Sequence, residues 1–143
     1  MPVSGNVGWL DFTHGITFAN AVRLQCTRYP QLWPQGLMQM ACFNGRNAAF
    51  TTREMDVERW CPGDPHDQLQ GLLERVLDHG EAEHIVSVHL LKTALAVGEE
   101  IASLETADAR LLVAALTRFF DSPLKRRQAR RTAHQSLQFV ARE

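Results

Sequence analysis

The sequence predicts an all-α protein, a single-domain bundle of about six helices, and three observations favour this fold class. Apolar side chains recur at intervals of three and four residues along most of the chain, which is the spacing of one helix face. The two-residue alternation typical of a half-buried strand is almost absent, and only residues 47–62 leave room for a short strand. The chain has 143 residues, 45% hydrophobic and 22% charged, which is the composition of one globular domain.

The first two predicted helices lie in the N-terminal third of the chain. The first runs from Trp9 to Thr27 and ends before Tyr29-Pro30. Its apolar face consists of Leu10, His14, Phe18, Ala21 and Val22. The second begins at Pro34, where a proline costs the helix no hydrogen bond, and continues to Gly45.

A loop and a third, capped helix follow. Residues 47–63 show no period, so we expect a loop with room for one helical turn. Asp64 is placed to act as the N-cap of the third helix, with Pro65 at its first position. His79-Gly80 ends this helix. Its apolar stripe consists of Leu69, Leu72, Leu73, Val76 and Leu77.

Three more helices are predicted in the second half of the chain. The fourth spans Glu81 to Ser103, and the fifth is capped by Thr106. The sixth runs from Ser122-Pro123 to about Ala141. Its buried line is expected to be Ala129, Ala133, Leu137 and Val140, opposite five basic residues between Lys125 and Arg131. Because no aromatic residue interleaves with these basic side chains, we expect a solvated helix face and no contact with nucleic acid.

Charge and cysteine content narrow the class of protein further. The net charge is −1, so no global field attracts the chain to nucleic acid or to a membrane. Three cysteines without a C-x-x-C pair predict a reducing compartment, and with no signal-peptide pattern the protein is expected to be cytoplasmic. The common nucleotide-binding and hydrolase motifs are absent from the sequence.

The candidate chemistry is concentrated in the fourth helix. At 100° per residue, five positions share one stripe: Ile85, His89, Lys92, Ala96 and Glu99. His84 lies about 140° round the helix from His89, on another face. Lys92 has no carboxylate three or four residues away. A buried Lys92 would be a neutral amine able to react with carbon dioxide, whereas a lysine that reaches the surface would stay charged.

Four polar residues of the first helix form a second candidate group. His14 lies on the apolar face, where a histidine is either a hydrogen-bonded core residue or a metal ligand. Asp11 lies one turn earlier on the neighbouring line. Asn20 and Arg23 are three residues apart and are expected either to line a polar substrate pocket or to cap the rim of the bundle.

Two segments of the chain resemble the questin oxidase-like family. His14-Gly15-Ile16-Thr17-Phe18-Ala19-Asn20-Ala21-Val22-Arg23 is similar to the family's H-x-x-T-x-x-H-A-L-R segment. His89-Leu90-Leu91-Lys92-Thr93-Ala94 is similar to its later D-x-H-x-I-K-L-T-E-A helix. The two segments also occur in the same order and at a similarly wide separation. Family members are much longer, so the resemblance covers their C-terminal portion only.

The resemblance implies an all-helical oxygenase fold that holds non-haem iron through histidines and a carbamylated lysine. Such enzymes use dioxygen to open the ring of an aromatic polyketide. By position, His14, His89 and Lys92 would be metal ligands. Asn20 replaces the second histidine of the family pattern, and Val88 stands near its acidic position. Either His84 or Asp11 supplies the missing ligand, or the site is incomplete.

Two functions of different class follow from these residues. The first is a metal-binding helical domain related to the oxygenases. It would bind iron in preference to zinc and act on a small-molecule substrate. The second is a non-catalytic interaction or structural domain in which the site is degenerate. In both cases we expect a homo-oligomer or a partner subunit, because a site without the family's earlier half leaves one bundle face open. The first function includes the option that the chain is part of a larger protein or complex.

Overall fold

The computed structural model consists of α-helices joined by short turns. It describes residues 9–51, 54–81 and 84–122, together with residues 134, 137, 138, 140 and 141, and it leaves out the side chains of residues 9–13 and 50. No strand occurs in this part of the chain, so the all-α prediction is confirmed. Its six α-helices are α1 (Trp9–Arg28), α2 (Trp33–Asn47), α3 (Val57–Trp60), α4 (Pro65–Leu77), α5 (His84–Ile101) and α6 (Thr106–Phe120).

Local signals explain where several helices begin. The Asp64 carboxylate accepts hydrogen bonds from the backbone N–H groups of His66 and Asp67, with Pro65 as the first residue of α4. This confirms the predicted cap. At α6 the cap position is Glu105 and not Thr106, and its side chain accepts no capping hydrogen bond. The helix still begins at Thr106 because its apolar face is buried against the core.

The region predicted as a loop contains two short helical elements. Residues Ala48–Phe50 form a 3-10 turn, and α3 follows after residues 52 and 53, which lie outside the described part. The Asp56 carboxylate caps α3 by accepting a hydrogen bond from the Arg59 backbone N–H group. The Asp56 cap is a start signal for this short helix, and periodicity alone does not show it.

The core lies between α4, α5 and α6. These three helices run up, down and up, with short connections between them, and α3 packs against α6. Their buried apolar side chains form one cluster with Cys61, and Ile16 of α1 packs against it. The cluster consists of Leu69, Leu72, Val76, Val86, Leu90, Ala94, Val97, Ile101, Ala109, Val113, Ala114, Leu116 and Phe120.

The helices α1 and α2 form an antiparallel hairpin beside this core. Phe18 contacts Phe43 edge to face, while Gly36 near the start of α2 lies against Cys26 near the end of α1. Of the two helices, α1 makes the extensive contact with the core, and it does so through α5. The hairpin therefore carries the α1 side chains to the surface of α5.

The predicted sixth helix lies largely outside the described residues. Positions 134, 137, 138 and 140 are helical. The prediction that Leu137 and Val140 are buried is wrong for the single chain, because both side chains are exposed. Periodicity places apolar residues on one face, but it does not show whether that face meets a neighbour.

Candidate functional site

A pair of histidine rings lies where α1 meets α5. The ring centroids of His14 and His89 are 5.6 Å apart, with the ring planes inclined at 72°. His89 is buried and His14 is half-buried. Nine residues further along α1, Arg23 contacts Glu100, which is eleven residues beyond His89. The two helices therefore run parallel, and their polar residues meet in matching order along the contact.

The hydrogen bonding of His89 defines the protonation of its ring. Its Nδ1 atom lies 2.6 Å from the carbonyl oxygen of Ile85, one turn earlier in α5. Because a carbonyl oxygen only accepts hydrogen bonds, Nδ1 donates, and in the neutral ring the lone pair is then on Nε2. This tautomer is the one a histidine adopts when a backbone carbonyl orients it as a metal ligand.

The surroundings of His89 favour its neutral form. Burial lowers the pKa of His89 below its ordinary value, and the charges of Lys92 and His14 lower it as well, while the hydrogen bond to Ile85 acts in the opposite direction. A neutral imidazole can bind a metal ion, whereas an imidazolium cannot. The environment therefore holds His89 in the form required of a ligand at neutral pH.

Lys92 lies one turn beyond His89 and is half-buried. Its charge lowers the pKa of His89, so the two side chains are close enough to interact. Within the described residues, Lys92 forms no ion pair with a carboxylate. In that same part of the chain, no three His, Cys, Asp or Glu side chains are grouped closely enough to hold a metal ion.

Asn20 and Arg23 connect α1 to the last turn of α5. The buried Asn20 amide donates to Glu99 at 2.8 Å and to Glu100 at 2.9 Å. The Arg23 Nε atom donates to both oxygens of Glu100, at 2.8 and 2.9 Å. These bonds use both N–H groups of the Asn20 amide. A substrate bound by Asn20 or Arg23 would have to displace the glutamates.

The remaining candidate ligands are placed differently. His84 is exposed as the first residue of α5, and it belongs to no group of three potential ligands in the described region. The side chain of Asp11 lies outside the described residues. The structure thus brings together His14 and His89, with Lys92 beside them, and separates this set from His84.

The partners of Asn20 and Arg23 were not identified from the sequence. Glu99 shares the stripe of His89 and Lys92, which was a signal that it faces α1, but nothing local indicates which α1 residue it meets. Glu100 lies next to that stripe and forms an ion pair with Arg23. Acidic residues in the last turn of a helix are unfavourable for its dipole, which is a sign that such residues have partners elsewhere.

Comparisons with known proteins returned no match to a family model, to a curated protein or to a solved structure. Within the described residues, no helix has both the length and the apolar character needed to cross a membrane. The geometry of the α1–α5 contact is therefore the basis for assigning a function.

Proposed function

We propose that this chain is a helical metal-binding domain whose site is the pair His14 and His89, with Lys92 as the third ligand. The proposal follows the resemblance to the questin oxidase-like family, which favours iron as the metal. The substrate class it implies is an aromatic or polyketide-like small molecule oxidised with dioxygen. The observation that carries the proposal is the separation of the two imidazole rings.

That separation fits two ligands of one metal ion. With metal–nitrogen bonds of about 2.0–2.1 Å, each ring centroid would lie about 3.2 Å from the ion. Centroids 5.6 Å apart are within the roughly 6.4 Å that two such rings on one ion could span. The backbone hydrogen bond that orients His89 and the burial that keeps it neutral support the same role.

A third ligand would have to come from Lys92 among the described residues. An uncharged lysine amine can add to carbon dioxide, and loss of the amine proton leaves a carbamate whose oxygens suit Fe(II) or Zn(II). Among the described residues, no carboxylate forms an ion pair with Lys92, so none of them competes for its amine. When bound with an open position, iron would supply the activation of dioxygen.

A second candidate function is a non-catalytic structural or interaction domain with a degenerate site. The hydrogen bonds of Asn20 favour it, because the residue that replaces a family histidine is committed to Glu99 and Glu100. In this case the two histidines stabilise the α1–α5 contact and bind no metal. The two candidates therefore differ in metal content.

Metal analysis of untagged protein separates these functions. We expect apo protein titrated with Fe(II) under nitrogen, or with Zn(II), to bind about one ion per chain and to melt at a higher temperature, because a ligand of the native state stabilises it by mass action. His14→Ala and His89→Gln should each lower the bound metal, while the exposed His66→Ala is the matched control. Unchanged occupancy in both site variants, or no binding by the wild type, would contradict the metal site.

The role of Lys92 has its own measurement. If a carbamate is the third ligand, adding bicarbonate should raise the metal affinity of the wild type and leave that of Lys92→Arg unchanged. Equal affinities with and without bicarbonate would exclude the carbamate and leave a site of two histidines.

We further propose that the protein is cytoplasmic and self-associates. Cys26, Cys42 and Cys61 are free, which is expected in a reducing compartment. Several large apolar side chains are exposed, which is typical of an interaction surface. Sedimentation at micromolar concentration tests the self-association, and a monomer would contradict it.

A further inference from the structure

An exposed apolar stripe runs along α5 on the side away from the core. Val88, Leu91 and Leu95 are spaced by three and four residues and are 55%, 41% and 53% exposed. They share one face of the helix because this spacing returns to the same side every turn. We call these three residues the α5 stripe.

Leu77 of α4 is a further exposed apolar side chain. Leu69 of α4 lies against Gly98 of α5, and the two helices run antiparallel through a short connection. Eight residues further along α4, Leu77 is therefore level with the first half of α5, and it is 87% exposed. An exposed apolar patch such as the α5 stripe commonly marks a contact with another protein segment.

A second uncovered apolar surface lies near the C-terminus. Leu137 and Val140 occupy helical positions three residues apart, so they share a face. They are 71% and 70% exposed in the single chain. The chain thus has an apolar stripe and an apolar helical pair, and the two do not cover each other within one molecule.

The charges of the chain are divided in a complementary way. Residues 123–143 carry six of the fifteen basic side chains and one of the sixteen acidic ones. Their net charge is +5, and the preceding 122 residues have a net charge of −6. The C-terminal segment is therefore attracted to the rest of the chain, in its own molecule or in another copy.

The last described residues before the C-terminal segment lie near the beginning of α5. Both α5 and α6 pack on α4, α5 antiparallel to it and α6 parallel to it, so α6 ends near the beginning of α5.

We propose that the protein forms a two-fold dimer in which Leu137 and Val140 of each copy pack on the α5 stripe of the other copy. A second copy is the occupant because both surfaces are apolar and uncovered in the single chain, while the C-terminal segment and the rest of the chain carry opposite net charges. The dimer contains this contact twice, as a closed two-fold interface requires. The inference rests on the self-association proposed above and specifies its contact.

Sedimentation velocity of the full chain and of two charge-inserting variants tests the proposal. The wild type should be a dimer at micromolar concentration. Leu91→Glu and Leu137→Glu should each weaken dimerisation at least about tenfold, because a charge placed in the centre of an apolar interface is not compensated there. Leu111→Glu, at a leucine of α6 that is 46% exposed, is the matched control and should remain a dimer. Circular dichroism confirms that every variant is folded.

Mixing the two variants distinguishes the exchange from other arrangements. An equimolar mixture of Leu91→Glu and Leu137→Glu retains one intact contact, between the Leu137 of the first variant and the stripe of the second. The mixture should therefore dimerise more strongly than either variant alone, and the double variant should not dimerise.

Four outcomes would overturn the inference. A dimer lost in Leu91→Glu but kept in Leu137→Glu would indicate that two stripes pack on each other. A monomeric wild type that melts at a lower temperature after deletion of residues 123–143 would indicate docking within one chain. A dimer unaffected by both variants would show that self-association uses another surface, and a monomer unaffected by the deletion would refute self-association itself.

Discussion

Replacement of Gly36 by alanine tests the packing of the α1–α2 hairpin. A Cβ atom at this position would lie 2.8 Å from Cys26 Sγ and 2.8 Å from Val22 Cγ1, which is shorter than a carbon atom tolerates. Cys26 is buried, and the branched Val22 has few rotamers available. Neither side chain can move aside easily, so the helices would have to separate.

Two effects of opposite sign determine the stability of Gly36→Ala. Alanine favours the helix by about 1 kcal/mol over glycine. Overpacking a close contact costs about 1–3 kcal/mol. We expect the overpacking to dominate, because the added atom meets two fixed neighbours, and the variant should lose up to about 2 kcal/mol of unfolding free energy.

Gly71→Ala is the matched control for this experiment. Gly71 lies inside α4, and an added Cβ meets no atom within 4 Å. This variant should therefore gain about 1 kcal/mol from helix propensity alone. Urea unfolding followed by circular dichroism measures both variants. Equal stability of Gly36→Ala and Gly71→Ala would refute the close approach of α1 and α2.

Three further predictions use the same unfolding measurement. Because burial lowers the pKa of His89, the unfolded chain takes up that proton first. The stability that neutral His89 contributes is complete above about pH 6.5 and is lost as the pH falls through its lowered pKa. His89→Gln should therefore lose less unfolding free energy than the wild type between about pH 7.5 and pH 5.5. Asn20→Ala should cost about 1–3 kcal/mol of unfolding free energy because it removes two hydrogen bonds to carboxylates, and equal stability of Asn20→Ala and wild type would contradict this role of Asn20. Asn20→Asp should cost more unfolding free energy at neutral pH than in mild acid. Asp64→Ala should cost about 1 kcal/mol and Asp64→Ser much less, and an unchanged alanine variant would show that the cap contributes little.

Features that depend on neighbouring residues were predictable from the sequence. The cap at Asp64 and the start at Pro65 involve residues within one turn, and the structure confirms them. The interval of apolar residues likewise identified the long helices. The helix α3 was not predicted as a separate element because four residues are too few to show a period. Its contacts with the rest of the fold include the ion pair of Glu58 with Arg110, which is 52 residues away.

The candidate site was predictable only in part. The apolar faces and the family resemblance selected His14 and His89, and the structure places their rings together, while their role as ligands stays a prediction. The bonds of Asn20 and Arg23 to Glu100 join residues 77 to 80 positions apart. Helix periodicity assigns a residue to a face, but the choice of neighbouring helix depends on the packing of the whole bundle.

The parallel contact of α1 with α5 has a consequence for the order of folding. His14 and His89 are separated by 75 residues, whereas α4, α5 and α6 follow one another with short connections. Closing the long segment costs entropy that the neighbouring helices do not lose. We therefore expect the three-helix core to fold first and α1 to dock late, so substitutions at the α1–α5 contact should accelerate unfolding and leave the folding rate nearly unchanged. On this order of events, the histidine pair would come together only after the core has formed.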